Sequence, residues 1–234
     1  MTAPAPRVVF FDCECVHSPE ADGYSWDRPW ELGLAVCCTT ERVEGGRQWI
    51  EGDAMSLVRY FQEADAVIGF NSHRFDFRLV DGECRTPDDK HNRPPPDPPL
   101  VESLIQSGIV LVDMFLDVQE VVGFKKGTGL KPLALHTLGE SSPMEGAIAP
   151  DEWAEHRKLD VIQYCADDVE KSRKLFNHGL KTGHLKRTSD RGEGPPPVEF
   201  PITWHIRDAD SEIVEPFLDW YKRRMAEMTE EHNA

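Results

Sequence analysis

The chain has 234 residues, enough to bury the core of one main domain, and its 42 Asp and Glu against 26 Lys and Arg leave a formal charge of −16. That balance excludes passive, field-driven adsorption to a polyanion, but not an enzyme that meets nucleic acid through bound cations. The six cysteines (13, 15, 37, 38, 84 and 165) show no C-x-x-C pair and no repeating spacing, so neither a zinc module nor a disulfide framework is indicated, and no stretch approaches the roughly 20 apolar residues of a membrane span; a soluble, cytoplasmic protein is expected.

Val8 to Cys13 is β-branched and aromatic and reads as a buried strand, and residues 30–39 (WELGLAVCCT) and 47–51 (RQWIE) continue it as a meander. Asp53 is placed to cap a helix running to Glu63, with Met55, Leu57, Val58 and Phe61 near helical spacing. Residues 64–71 (ADAVIGFN) predict a fourth strand, 74–80 (RFDFRLV) the start of a helix, and 109–114 (IVLVDM) a fifth strand, so the pattern is an α/β sheet with helices packed on it. The proline-rich stretch 88–99 between them is an exposed loop. After Met114 the chain is helical, with a break at 123–129 (GFKKGTG) and a long helix from about Leu159 to Leu180. A second proline stretch at 192–197 precedes a last amphipathic helix starting near Pro216, whose stripe of Val214, Phe217, Tyr221, Met225 and Met228 suits docking on its own domain.

Side chains two apart on a strand share a face, so Asp12 and Glu14 point one way while Cys13 and Cys15 point the other and pack as small apolar residues. Two carboxylates on one face of a mostly buried strand repel unless a cation lies between them; a solvent-exposed strand end is the plainer alternative. Downstream, Asn71 ends the fourth strand and Asp76 lies in the first turns of the next helix. Tyr164 and Asp168, four apart on the long helix, share one helical face.

This series, D-x-E at 12–14, N-x-x-x-F-D at 71–76 and Y-x-x-x-D at 164–168, resembles the three motifs of the DEDD (DnaQ-like) superfamily of 3′→5′ exonucleases in its tyrosine subclass. Residues 112–120 (VDMFLDVQE) and 130–140 (LKPLALHTLGE) are similar to helical segments of its YprB-like branch, and the likeness covers roughly residues 7–204. It implies an RNase H-like domain over residues 1–204, with a central mixed five-stranded sheet flanked by helices, and a C-terminal amphipathic helix extension over 205–234. The implied activity is metal-dependent release of nucleoside 5′-monophosphates from a 3′ end. Carried over position by position, the resemblance implies that Asp12 would bridge two divalent cations, Glu14 and Asp168 would complete the shell of the first ion, Asp76 would hold the second through water, and Tyr164 would hold the attacking water. All-oxygen ligands suit Mg²⁺ or Mn²⁺, and two such ions roughly 4 Å apart activate water and neutralise the leaving oxygen.

The histidine subclass has His where this chain has Gln163. The superfamily's Thr, Gly and bulky apolar residue after the D-x-E glutamate are replaced by Cys15, Val16, His17 and Ser18, which leaves the grip on the 3′ end undefined. His17 reads as a loop residue, Asp167 is an alternative to Asp168, and Asp113 reads as an N-cap. Asn71 and the lysines around the glycine-rich break, Lys125, Lys126 and Lys131, are candidate contacts to nucleic acid, whereas Arg173 and Lys174 read as surface residues. The partners implied are single-stranded nucleic acid or a 3′ end, and a helicase or polymerase on another chain. Two alternatives stay open: a non-catalytic RNase H-like module that binds nucleic acid or protein, and a structure-specific nuclease on the same scaffold.

Overall fold

A computed structural model of the chain describes residues 5–21, 23–41, 45–84, 97–142, 148–190 and 196–233. Its sheet is built from the apolar runs: β1 (Val8–Cys15), β2 (Leu34–Glu41), β3 (Arg47–Ile50), β4 (Ala66–Gly69) and β5 (Val110–Asp113). β1 is antiparallel to β2, with Asp12 opposite Cys38, and β2 is antiparallel to β3. β4 lies parallel to β1 on one side and to β5 on the other. β4 is buried at every position because helices cover both faces of the parallel part, which is why its sequence is a continuous apolar run.

The helices are α1 (Ala54–Gln62), α2 (Asp76–Glu83), α3 (Leu100–Gln106), α4 (Met114–Val122), α5 (Leu130–Leu138), α6 (Ala149–Ala154), α7 (Lys158–Thr182) and α8 (Phe217–Asn233). One core lies on the face of the odd β1 residues, where Phe11 packs edge-on against Phe61 at 4.9 Å and Leu57, Phe77 and Leu104 close around it. The other lies under α7, where Phe10, Ile68 and Val112 meet Cys165, Val169, Phe176 and Trp204. Burial on this scale is the main stabilising contribution. Close approach sets Gly82, since a Cβ there would fall 2.0 Å from the carbonyl oxygen of Trp30. Gly183 ends α7 in the left-handed conformation, φ 70°.

The sheet has seven strands rather than the five expected. β6 (His184–Arg187) and β7 (Val198–Pro201) pair as a separate ribbon, and β8 (His205–Arg207) and β9 (Ile213–Pro216) extend the central sheet to the order β3-β2-β1-β4-β5-β8-β9. At three or four residues each, these strands are too short for a sequence period to identify them. β8 is held by charge instead: Arg207 Nη2 bonds Asp117 Oδ1 of α4 at 2.5 Å and Glu120 at 3.0 Å, and the same aspartate accepts from His205 N at 2.8 Å. Residues 205–216 thus belong to the sheet. α8 follows and docks through its first turn, with Phe217 and Trp220 buried, Phe217 5.1 Å from Phe176, and Arg224 bonded to Asp65 at 3.1 Å. Val214 of the apolar stripe is 58% exposed, so the stripe is only partly used. Most of the two proline stretches, 88–96 and 192–195, lies outside the described residues. No described helix is long and apolar enough to cross a membrane.

Candidate active site

The site exists because β1 outruns its neighbour. β2 accompanies β1 as far as Cys15, but β4 pairs with it only through Phe10, so the last residues of β1 project past the end of β4. The Cys13 N–H, buried on that edge, needs another acceptor. Asp76 Oδ1, at the first residue of α2, takes it at 2.9 Å and is thereby fixed beside the end of β1. Strand alternation does the rest: Cys13 and Cys15 join the core behind, while Glu14 is buried and Asp12 half-buried on the opposite face. That face meets α7, where the Cys165 thiol donates to the Asp12 carbonyl at 3.2 Å. One helical turn apart on α7, Tyr164 and Asp168 are both buried, 5% and 4% exposed.

These elements enclose a cleft of about 480 Å³ lined by Asp12, Glu14, Asp76, Tyr164 and Asp168, together with Asn71 and Lys131. Asp113 caps α4 by accepting from Phe115 N and Leu116 N, as expected of an N-cap. It also accepts from the backbone N–H of Asn71 (2.8 Å) and His73 (3.0 Å), holding a turn in which Asn71 has φ 65°, a region Asn tolerates. Asp167 turns outward and accepts from Gln163 at 2.8 Å. His17 is exposed and stacked on Tyr24 at 4.5 Å, Arg173 pairs with Glu170, and Lys174 with Glu140.

The three lysines separate. Lys131 Nζ sits 4.7 Å from the Tyr164 ring centroid inside the cleft. Lys125 and Lys126 are exposed and outside its wall, and Lys125 lies 3.7 Å from Asp190. Sequence reasoning missed Lys171, which is 4% exposed with its ammonium 2.8 Å from Asp168 Oδ1 and 3.0 Å from Ser142 Oγ. Its spacing of three from Asp168 on a helix was the available signal. It also missed Trp26 and Phe75, which form part of the cleft wall.

Burial pushes the Asp12 carboxyl well above the usual range, and the charges of Asp76, Glu14 and Asp168 push the same way. Glu14 is raised by burial and by Asp168 and Asp76, with Lys131 opposing. Asp76 is pushed up to about 7 by burial, against the stabilising Cys13 N–H bond. The Tyr164 phenol is raised by burial and by the Asp168 and Glu14 charges, so it stays protonated and able to donate. The donor set is all oxygen and short of positive charge, which fits hard divalent cations. Among the described residues no three His, Cys, Asp or Glu stand close enough together to hold a metal ion between them. Asp76 and Asp168 each give one oxygen to a protein donor, Cys13 N–H and the Lys171 ammonium.

No family model matches this chain, and no curated protein does. Among solved structures it is similar to the family B DNA polymerase of the hyperthermophilic archaeon Pyrobaculum calidifontis, with TM-score 0.54 and 19% identity over 76% of this chain and 25% of that one. The fold is RNase H-like. The chain spans a quarter of the polymerase's length. It is also similar, at TM-score 0.48 and 14% identity over 77% of this chain and 76% of that one, to a structure described as the apo form of a nuclease.

The raised carboxyls make a pH signature. An acid whose folded pKa is raised binds protons more tightly in the native state, so stability falls as pH rises from its ordinary value to the raised one. For Asp76 that window runs from 3.8 to about 7. The metal-free protein is expected to lose thermal stability between pH 4 and pH 7. Asp76→Asn, which keeps an oxygen for Cys13 N–H, should lose less. Thermal unfolding in EDTA checks this, and equal slopes for the two proteins would contradict it.

Proposed function

We propose that the chain is a metal-dependent 3′→5′ exonuclease that releases nucleoside 5′-monophosphates by a two-metal-ion mechanism. The observation that carries this reading is the meeting of Asp12, Glu14, Asp76, Tyr164 and Asp168, borne by one strand and two helices far apart in sequence, on one cleft. Asp12, Glu14 and Asp168 would hold one Mg²⁺ or Mn²⁺, and Asp12 with Asp76 the other. Bound there, the ions would supply an activated water and neutralise charge on the phosphate and the leaving oxygen. Tyr164 Oη, protonated, donates to the attacking water and aims it in line with the scissile phosphate. Lys131, beside that ring, and Asn71, in the turn after β4, would face the sugar-phosphate backbone of a single strand. In the cell, a cytoplasmic setting and a helicase or polymerase on another chain would supply the free 3′ end.

A second reading, a non-catalytic module on the same scaffold, is favoured by one observation: the Lys171 ammonium already neutralises Asp168 within the protein. Product analysis separates them. A labelled single strand with a free 3′-hydroxyl should yield 5′-mononucleotides in Mg²⁺ or Mn²⁺, and the same strand with a blocked 3′ end should resist. Internal fragments would favour a structure-specific nuclease, and binding without cleavage the module.

The lysines give a graded test. Each phosphate neutralised on a single strand contributes roughly 0.7 to the slope of log affinity against log salt. Lys131→Ala should lower the slope by about 0.7, and the triple Ala variant with Lys125 and Lys126 by about 2. An unchanged slope in the triple variant would remove all three from contact with the strand's phosphates.

A further inference from the structure

Between β1 and β2 the chain makes a long excursion that is tied at both its base and its tip. Val16 N and His17 N donate to Gly33 O and Leu32 O at 2.8 and 3.0 Å, and short turns bond Tyr24 N to Ala21 O and Arg28 N to Ser25 O. Arg28 is clamped by the buried carboxylate of Glu31 at 2.9 Å and by Gly23 O at 3.1 Å. The aromatic residues of this loop are treated differently. Trp30 is 8% exposed against α2 and Tyr24 stacks on His17, but Trp26 leaves 57% of its surface to solvent. Its ring stands 5.6 Å from that of Phe75, tilted by 46°, and both belong to the wall of the cleft that contains Asp12, Glu14 and Asp76.

A largely exposed indole packed on Phe75 at the wall of the proposed phosphodiester site suits one kind of partner: a flat, uncharged ring attached to the phosphate being handled. We propose that Trp26, backed by Phe75, is a stacking platform for one unpaired nucleobase of a single strand entering the cleft. The inference rests on the nuclease reading for the identity of the strand, but it concerns binding rather than chemistry. Stacking on an aromatic side chain tolerates any base, so the platform grips the strand without reading its sequence. It gives this chain a base contact in the neighbourhood where Cys15, Val16, His17 and Ser18 offer no bulky apolar side chain. Phe75 precedes Asp76 directly, so the platform and the acid cluster are positioned by the same first turn of α2.

The test uses oligothymidylate in which a single abasic residue is walked through the last four positions, with affinity read by fluorescence anisotropy in Ca²⁺ and strand integrity checked on a gel. With wild type, one position should show a loss of about 5- to 150-fold, the range for one stacked base. Trp26→Ala should bind the intact strand more weakly by a similar factor and lose the penalty at that position, while Trp26→Phe should keep part of both. The same abasic penalty in wild type and Trp26→Ala would overturn the platform, as would a wild type with no base-dependent position or no binding to any strand. A strand cleaved normally without dependence on Trp26 would remove the platform and leave the nuclease reading standing. Base-dependent binding through Trp26 with no cleavage in Mg²⁺ or Mn²⁺ would do the reverse.

Discussion

Asp12→Ala is expected to abolish turnover, by about a hundredfold or more, while the metal-free protein becomes more resistant to heat. Both effects follow from one position. Asp12 faces the charges of Asp76, Glu14 and Asp168, and burial adds to the cost of its ionised form. Removing it relieves repulsion in the empty cleft, and removes the one carboxylate that would touch both cations. A catalytic acid with a purely structural role would lose stability instead. Steady-state cleavage and thermal unfolding in EDTA read the two effects separately. More than a few per cent of wild-type activity would sink the two-ion assignment, and a lowered unfolding midpoint would sink the electrostatic account.

Tyr164→Phe is expected to slow the chemical step by about ten- to a thousandfold, the range for losing a positioning or proton-transfer group, with little change in substrate affinity or folding. The ring is 5% exposed and packed under Lys131, and the substitution preserves that packing while deleting only the oxygen. Because the phenol is held protonated, the proposed mechanism gives it a donated hydrogen bond to the attacking water, which would be felt in the transition state more than in substrate binding. Single-turnover cleavage at matched saturation measures the step directly. Equal rates for the two proteins would remove Tyr164 from the mechanism.

Much of this architecture is legible in the sequence, and the parts that are not have physical reasons. β1, β4 and β5 announce themselves because strands buried on both faces must be apolar throughout, and Asp113 reads as a cap because a short acceptor before a helix has few other uses. β8 and β9 do not, since three or four residues carry no period and their place at the sheet edge is secured by a buried arginine. α3 and α6, at seven and six residues, are likewise too short for a helical pattern. Within the cleft, the shared faces of Asp12 with Glu14 and of Tyr164 with Asp168 follow from the periods of strand and helix. That Asp76 joins them depends on β1 outrunning β4, a tertiary fact that no local pattern encodes. The burial of Lys171 is tertiary in the same way, since it depends on Ser142 being brought against α7. The lysines around the glycine-rich break, adjacent in sequence, are separated in space because Lys131 opens α5 and faces inward while Lys125 and Lys126 stay on the exposed turn before it.

The most direct test of the account is a single strand labelled at its 5′ end and incubated with the wild-type protein in Mn²⁺ and, in parallel, in EDTA. The acid cleft predicts a ladder that shortens one nucleotide at a time from the 3′ end in Mn²⁺ and an intact strand in EDTA. An intact strand in both, or the same ladder in both, would contradict it.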